Sequence, residues 1–181
     1  MAKNTKTNKV IILKGSPGVG KSYTARKLIS QLSNKNIALI SVDEILHIDQ
    51  RNLTEEKLKL AKFHAAILTR SFIQEDFDVI IEYTFDIPDH LNFMIDKIKR
   101  SQVEKIQKSS IHIFHLTAKL EEVIKRNKTR GDDSDPLPAN VLKKLYDSCE
   151  NTAGKVEGEI IIQTNKVSVE KIVNQILKTI L

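Results

Sequence analysis

Apolar and polar positions along the chain fall into two kinds of segment, short apolar runs and longer stretches with helical spacing. Five of the short runs are rich in β-branched residues and end at polar or glycine-containing turns, as buried strands do. The predicted strands cover residues 9–14, 37–42, 77–85, 110–118 and 158–164.

The stretches between these strands carry apolar residues three or four positions apart, which predicts helices. Thr54 before two glutamates, and Pro88 at the start of the next stretch, are typical signals of a helix N-terminus. The predicted helices cover residues 22–36, 54–74, 88–106, 119–130, 139–151 and 168–181. Strands that alternate with helices indicate an α/β fold with a parallel sheet covered on both faces. Ligands of such sheets bind beyond the carboxyl ends of the strands.

The composition is typical of one globular domain, since 40% of the 181 residues are apolar and 29% are charged. We expect a disordered basic tail at residues 1–8 and a single domain at residues 9–181. Cys149 is the only cysteine, so no intrachain disulfide can form, and no Cys/His spacing indicates zinc. With neither a signal-peptide segment nor a membrane-length apolar run, we expect a cytoplasmic protein without a membrane partner.

The net charge of +6 permits a nucleic-acid partner without favouring one. Lysines are spread along the chain, and aromatic residues, only 5% of the total, are not interleaved with them as base-stacking platforms would be. The oligomeric state stays open.

The stretch "GSPGVGKS" at residues 15–22 lies between a predicted strand and a predicted helix, where it can hold a polyphosphate. Its glycines let backbone N–H groups approach phosphate oxygens, Lys21 supplies a charge for the β and γ phosphates, and the Ser22 hydroxyl can ligate Mg²⁺. The residues expected to bind nucleotide here are Gly15, Ser16, Pro17, Gly18, Val19, Gly20, Lys21, Ser22 and Tyr23.

Signals of nucleotide switches and motors are absent from the other strand ends. A guanine-reading N-K-x-D motif fails at "TNKVS" (164–168), where Ser168 replaces the aspartate, although the backbone there can still lie against a base. The third strand lacks a following D-x-x-G turn, which argues against a GTPase. It ends in Glu82 alone rather than in consecutive acids, which argues against a motor or AAA-type ATPase.

Phosphoryl transfer needs a carboxylate near the γ-phosphate to orient and deprotonate the acceptor hydroxyl. Asp43 follows the second strand and is the candidate, with an ordinary helix N-cap as the alternative. Glu82 ends the third strand inside an apolar run, where a carboxylate needs a partner. Magnesium, the acceptor and a salt bridge remain open as that partner.

Cations over the transferring group are expected from "RNKTRGDDSDPLP", a mobile lid at residues 126–138. Arg126 and Arg130 lie four residues apart and so share a helix face; a solvated basic face is the alternative. The five histidines form no metal or triad spacing, and His64 is expected to be packed within an apolar helix.

These residues together resemble the small P-loop kinases of the adenylate/shikimate kinase-like group, in particular the subgroup of chloramphenicol phosphotransferase, polynucleotide kinase domains and zeta toxins. The resemblance runs from "VIILKGSPGVGKS" to the last helix. It implies a three-layer α/β/α P-loop NTPase fold with a five-stranded parallel sheet in the order 2-3-1-4-5. It also implies that Asp43 binds the acceptor or acts as base, Arg126 stacks on adenine and Arg130 contacts the phosphates.

Glu82 and Thr84 match residue types that follow the third strand in zeta toxins, but Tyr83 stands where glycine is usual. Substrate identity is therefore not carried across. The hypothesis is an ATP- and Mg²⁺-dependent kinase acting on a small-molecule hydroxyl, with Lys21, Asp43 and Arg130 catalytic. The expected metal ligands are Ser22, Asp43 and Glu82. A polynucleotide or nucleotide-sugar kinase, and an ATP-binding regulatory module with little turnover, are the alternatives.

Overall fold

The computed structural model describes residues 7–32, 36–46, 54–129 and 136–180. Of the predicted tail, residues 1–6 lie outside this description, whereas Asn8 is buried against the sheet. The Asn8 side chain donates to the Phe77 carbonyl at 3.1 Å, and its backbone carbonyl accepts from the Ser110 N–H at 3.0 Å. Asn8 therefore belongs to the folded domain rather than to a separate tail.

All five predicted strands form, and they make one parallel sheet. Its strands are β1 (Lys9–Lys14), β2 (Ile37–Ser41), β3 (Asp78–Glu82), β4 (Ser110–Thr117) and β5 (Glu159–Gln163). The strand order is β2-β3-β1-β4-β5, which confirms the expected 2-3-1-4-5 topology and the three-layer α/β/α fold. The first strand is central, so the glycine loop that follows it lies at the middle of the edge formed by the carboxyl ends of the strands.

Helices connect the strands and cover both faces of the sheet. They are α1 (Lys21–Gln31), α2 (Val42–Leu46), α3 (Glu55–Gln74), α4 (Pro88–Lys99), α5 (Glu104–Lys108), α6 (Leu120–Lys128), α7 (Ala139–Asn151) and α8 (Val169–Ile180). Alternate residues of β1 separate the core into two layers. Val10 and Ile12 pack with α3 and α4 on one face, while Ile11 and Leu13 pack with α1 and α8 on the other.

Two helices differ from the sequence prediction. The short helix α2 was not expected; it forms because Val42 and Leu46, four residues apart, both reach the core. The helix predicted over residues 88–106 is two helices, α4 and α5, with a break at residues 100–103. At that break the buried Ser101 accepts a hydrogen bond from the Val103 N–H at 3.2 Å, which competes with helical pairing.

The long helix α3 also corrects the expectation for His64, which is exposed rather than packed. His64 lies edge-on to Phe63, with ring centroids 6.0 Å apart. Apolar residues of α3 occur on more than one face, but only the face that carries Ala61, Ala65 and Ile73 is buried. Other large apolar side chains exposed on this helix are Leu60, Ile67 and Leu68.

Within the described ranges, no helix is both long enough and apolar enough to cross a membrane.

Candidate functional site

The glycine loop between β1 and α1 is packed against the end of β4. Gly15 has φ +138°, and a Cβ there would collide with the backbone carbonyl of Leu116. The Gly15 N–H donates to the Thr84 carbonyl at 3.2 Å, which ties the loop to the segment after β3. Gly20, with φ +100°, caps α1 and turns the helix N-terminus toward the loop. This geometry leaves backbone N–H groups and a helix end at one place, which suits an anion.

Lys21 folds back over the loop that precedes it. Its buried ammonium donates to the carbonyls of Gly15 at 2.9 Å and Ser16 at 3.2 Å. The charge is thereby held at the loop rather than extended into solvent, so a polyphosphate in the loop would meet a positioned cation. Tyr23, also predicted to contact nucleotide, lies in the first turn of α1 and is 66% exposed.

Ser22 and Glu82, two of the three predicted metal ligands, are in direct contact. The Ser22 hydroxyl lies 3.1 and 3.0 Å from the two carboxylate oxygens of Glu82, which is 7% exposed. A hydroxyl and a buried carboxylate are oxygen donors of the kind Mg²⁺ takes, with water completing its shell. Among the described residues, no group of three or more His, Cys, Asp or Glu could hold a metal, so this pair is a partial site. The metal role of Asp43 stays a prediction.

Arg126 lies where the nucleotide base was expected. Its guanidinium donates to Thr164, to the side-chain oxygen at 3.2 Å and to the carbonyl at 2.9 Å, and its Nε donates to Glu122 at 2.9 Å. These bonds fix the guanidinium plane beside the end of β5. Arg130, its predicted companion, lies outside the described residues.

A cavity of about 600 Å³ joins these groups. It runs from the glycine loop past Arg126 to the segment after β5, where the backbone of residues 164–168 was expected to approach the base. Its walls include Gly18, Val19, Gly20, Lys21, Ser22, Tyr23, Arg126, Thr164, Val167 and Ile172. A cavity of this size, with phosphate-binding groups at one end and apolar side chains at the other, suits a nucleotide.

The two ends of the predicted lid are joined by a residue that the sequence did not single out. Asn127 is buried; its Nδ2 donates to the Leu137 carbonyl at 3.0 Å, and its Oδ1 accepts from the Leu137 N–H at 3.1 Å. This paired contact holds the end of α6 next to the start of α7. The only sequence signal was an asparagine, a weak helix former, inside a predicted helix.

The opposite side of the carboxyl edge carries a second polar group of residues around Tyr83. Lys62 of α3 is 1% exposed, and its ammonium lies 4.9 Å from the centre of the Tyr83 ring. Burial lowers the pKa of Lys62 to about 8, against the opposing effect of Asp86, Glu55 and Asp43. Burial also raises the pKa of Tyr83, with Asp43 and Asp86 adding to that shift. Asp43, on the exposed first turn of α2, thus acts electrostatically on both Lys62 and Tyr83.

The segment after β3 connects these two sides. The Thr84 carbonyl that accepts from Gly15 also accepts from the Cys149 thiol of α7 at 3.9 Å. Phe85, with φ +45°, is fully buried and directs the chain so that Asp86 reaches Ser148 of α7. The loop is therefore held at both ends. The positive φ of Phe85 is a strained conformation, which the packing of its buried side chain stabilises.

A buried group of charged side chains lies at the end of β1, next to the glycine loop. The Glu159 carboxylate lies 3.1 Å from the Lys14 ammonium and 2.7 Å from Nδ1 of His115, and all three side chains are fully buried. Burial alone would raise the pKa of Glu159, but His115 and Lys14 outweigh it and hold the pKa at about 2. Lys14 immediately precedes Gly15, so these contacts fix the end of β1.

Comparison with known families identifies the chain. A family profile described as "AAA domain" matches residues 10–152, and the chain belongs to that family. The expectation against a motor or AAA-type ATPase concerned the activity, and the family match does not test it. The observation behind it, one acidic residue at the end of β3, still describes the structure.

Similar solved structures show the fold. A sugar kinase from Janibacter sp. HTCC2649 has a TM-score of 0.70 at 16% identity, covering 96% of this chain and 94% of that one. A gluconokinase from Sinorhizobium meliloti 1021 has a TM-score of 0.69 at 12% identity, covering 96% and 91%. The APS kinase of Mycobacterium tuberculosis, solved with AMPPNP and APS, has a TM-score of 0.67 at 10% identity, covering 95% and 96%. The fold is thus that of the small P-loop kinases, which confirms the resemblance read from the sequence.

Proposed function

We propose that the protein is an ATP- and Mg²⁺-dependent kinase that transfers the γ-phosphate to a hydroxyl of a small molecule. The contact of the Ser22 hydroxyl with the buried Glu82 carboxylate carries this proposal. Lys21, the neighbour of Ser22, adds a held ammonium, and the three groups together are those a magnesium nucleotide requires. The kinase-like fold supports the same activity.

Each donor-side residue has a role in this proposal. Lys21 and the loop N–H groups bind the β and γ phosphates, while Arg126 offers its guanidinium face to the adenine. Ser22 and Glu82 would hold Mg²⁺, with Asp43 as a further candidate. When bound, the metal supplies positive charge against the phosphates. Arg130 is proposed to neutralise charge on the transferring group.

The acceptor half is proposed to work through Asp43. The Asp43 carboxylate takes the proton of the acceptor hydroxyl as the oxygen bonds to the γ-phosphorus. The bond from that phosphorus to the β–γ bridging oxygen then breaks, and ADP leaves with the electron pair. One phosphate ester forms for each ATP consumed.

The test is a screen for acceptor-stimulated ADP release over alcohols, nucleosides, antibiotics, nucleotide sugars and 5′-hydroxyl oligonucleotides. We expect one small-molecule class to stimulate release. Asp43→Asn should then lower transfer by about 10²- to 10⁴-fold with nucleotide affinity unchanged. Glu44→Gln, its exposed neighbour on α2, is the matched control and should retain activity.

Three results would contradict the proposal. Full turnover by Asp43→Asn would remove Asp43 as the base. Tight nucleotide binding without acceptor-stimulated release would favour a regulatory module. Stimulation by oligonucleotides alone, with binding that weakens steeply in salt, would favour a polynucleotide kinase.

A further inference from the structure

Arg126 lies in the wall of the cavity with the edge of its guanidinium turned to the protein. Two of its hydrogen bonds go to Thr164, to Oγ1 at 3.2 Å and to the carbonyl at 2.9 Å. Two more go to the Glu122 carboxylate at 2.9 Å and to the Val19 carbonyl at 3.4 Å. A guanidinium carries only five N–H groups, so little of its edge remains for a ligand. Its flat face is what Arg126 can offer to a nucleotide.

Thr164, which orients Arg126, directs its own polar groups into the protein. Its N–H and its hydroxyl both donate to the Thr117 carbonyl, at 2.8 and 3.1 Å. Its carbonyl and its hydroxyl oxygen accept from Arg126, and the residue is 1% exposed. Thr164 therefore supports the guanidinium and is not placed to hydrogen-bond the edge of a base.

Two further polar side chains of the segment "TNKVS", Asn165 and Ser168, are also engaged by the protein. Asn165 accepts from the Lys119 N–H at 2.5 Å and donates to the Gln163 side chain at 3.1 Å. The Ser168 hydroxyl accepts from the Lys171 N–H at 3.4 Å at the start of α8. What this segment and α8 add to the cavity wall beyond Thr164 is apolar: Val167, Val169 and Ile172.

The other polar side chains of the wall lie on α6 and α1. The Thr129 hydroxyl, after α6, lies 3.4 and 3.3 Å from the carbonyls of Lys125 and Arg126, to which it can donate. Apart from Thr129, Arg126 and Thr164, the polar side chains of the wall belong to α1, which begins at the glycine loop. Hydrogen-bonding side chains are thus concentrated at the phosphate end of the cavity.

We propose that the protein binds the purine of its phosphate donor by the face of the ring and not by its edge, and so accepts ATP and GTP almost equally. Arg126 would stack on the ring, and Val167 and Ile172 would pack against it. Every base has a π face, so stacking tolerates a change of base. A site that hydrogen-bonds a substrate group rejects an analogue lacking it by about 10⁴- to 10⁵-fold, and the described side chains provide no such contact. This inference rests on the proposed kinase function.

The test measures nucleotide binding to the full-length protein with Mg²⁺ and without an acceptor. The non-hydrolysable analogues AMPPNP and GMPPNP each compete with a fluorescent ATP analogue. We expect their dissociation constants to agree within about tenfold, because both purines stack on the same guanidinium. A larger preference for either purine would show that the edge of the base is read, and would overturn the inference.

The absence of an acceptor separates this inference from the proposed function. Equal binding of both analogues, with no ADP or GDP release in the acceptor screen, would contradict the kinase and leave the base inference standing. A strong purine preference together with transfer from the favoured nucleotide would overturn the inference alone. If neither analogue competes, both proposals fail.

Substitutions show which group meets the base. Arg126→Ala should weaken both analogues by about tenfold and leave their ratio unchanged, because stacking contributes equally to each. Lys125→Ala, exposed on the same helix, is the control and should change neither constant.

Tyr23→Phe removes an exposed hydroxyl that α1 contributes to the wall, and the ratio should again stay constant. A several-fold change of the ratio in a folded Arg126→Ala or Tyr23→Phe protein would mean that this side chain reads the edge of the base. That result would also overturn the inference. The wild-type ratio still decides if a variant does not fold.

Discussion

The donor half and the acceptor half of the candidate site are built in different ways. The donor half comes mainly from one continuous stretch, residues 9–22, in which a buried strand, a glycine loop and a helix N-terminus follow each other. The acceptor half is assembled from α2, α3 and the segment after β3, which are far apart in sequence. Local backbone geometry therefore determines the proposed phosphate site, whereas tertiary packing determines the proposed acceptor site.

Lys21→Met should give the largest effect, because it removes the positioned charge of the donor half. We expect kcat/KM for ATP to fall by about 10²- to 10³-fold, the usual loss for an electrostatic contact to the reacting group. Lys27→Met on the same helix is the control; its exposed ion pair with Glu170 contributes little. Near-normal nucleotide binding and turnover in Lys21→Met would show that the loop does not hold phosphates as described.

Glu159→Gln should destabilise the protein, because it removes the buried carboxylate that pairs with Lys14 and His115 at the end of β1. Removing one partner of a buried ion pair costs about 3 kcal/mol at neutral pH, measured as the free energy of unfolding in urea. The Glu159 pKa lies below its usual 4.5. Its contribution is therefore complete above pH 4.5 and is lost as the pH falls toward 2.

The difference between wild type and Glu159→Gln should consequently narrow as the pH falls below 4.5. Glu157→Gln, at an exposed position before the same strand, should match wild type throughout. A constant difference across this pH range would mean that the carboxylate charge is not what stabilises the site.

Arg126→Ala should weaken nucleotide binding by about tenfold, since one cation–π contact with the base is lost. Arg126→Lys keeps the charge but not the planar fork that Thr164 orients, so it should recover only part of the affinity. Lys125→Ala, exposed on the same helix, is the control. Equal affinity in all of these proteins would place the base away from Arg126.

Lys62→Met should have the smallest effect of these substitutions, a modest change in the free energy of unfolding. It should leave nucleotide affinity unchanged, because Lys62 belongs to the proposed acceptor half. Burial lowers the Lys62 pKa from 10.5 to about 8. The folded protein therefore bears the cost of the buried charge below pH 8 and loses that cost as the pH rises toward 10.5.

At pH 7 the Lys62→Met variant should be more stable than wild type by about 1 to 2 kcal/mol, and the gap should close at high pH. Lys59→Met, which removes an exposed ion pair with Glu55, should change stability little. Destabilisation by Lys62→Met at pH 7 would show that contact with the Tyr83 ring outweighs the burial cost. A stable variant with poor acceptor use would show that stability is given up for function.

The sequence predicted the fold well because its signals are local. Five β-branched runs separated by helical stretches are sufficient for the sheet, and the glycine loop fixes the position of Lys21 and Ser22. The contact of Ser22 with Glu82 was also within reach, since parallel strands end at the same edge.

The acceptor half could not be predicted in the same way. In the sequence, nothing distinguishes Lys62 from the other lysines of α3. Only the packing of that helix shows that Lys62 is buried against the Tyr83 ring. Asp86 depends on the turn at Phe85, and the pairing of Asn127 with Leu137 joins residues on two helices. The prediction that His64 is packed was wrong for a related reason: apolar neighbours in the sequence do not reveal which face of a helix is covered.

The most direct test of the central claim is to follow the fate of the γ-phosphate by phosphorus NMR. ATP, Mg²⁺ and a small-molecule acceptor that stimulates ADP release are incubated with the protein. We predict a phosphate-ester signal that grows in step with ADP, with little inorganic phosphate. ADP accompanied by inorganic phosphate alone would show that the nucleotide is hydrolysed rather than used for transfer, and would contradict the account.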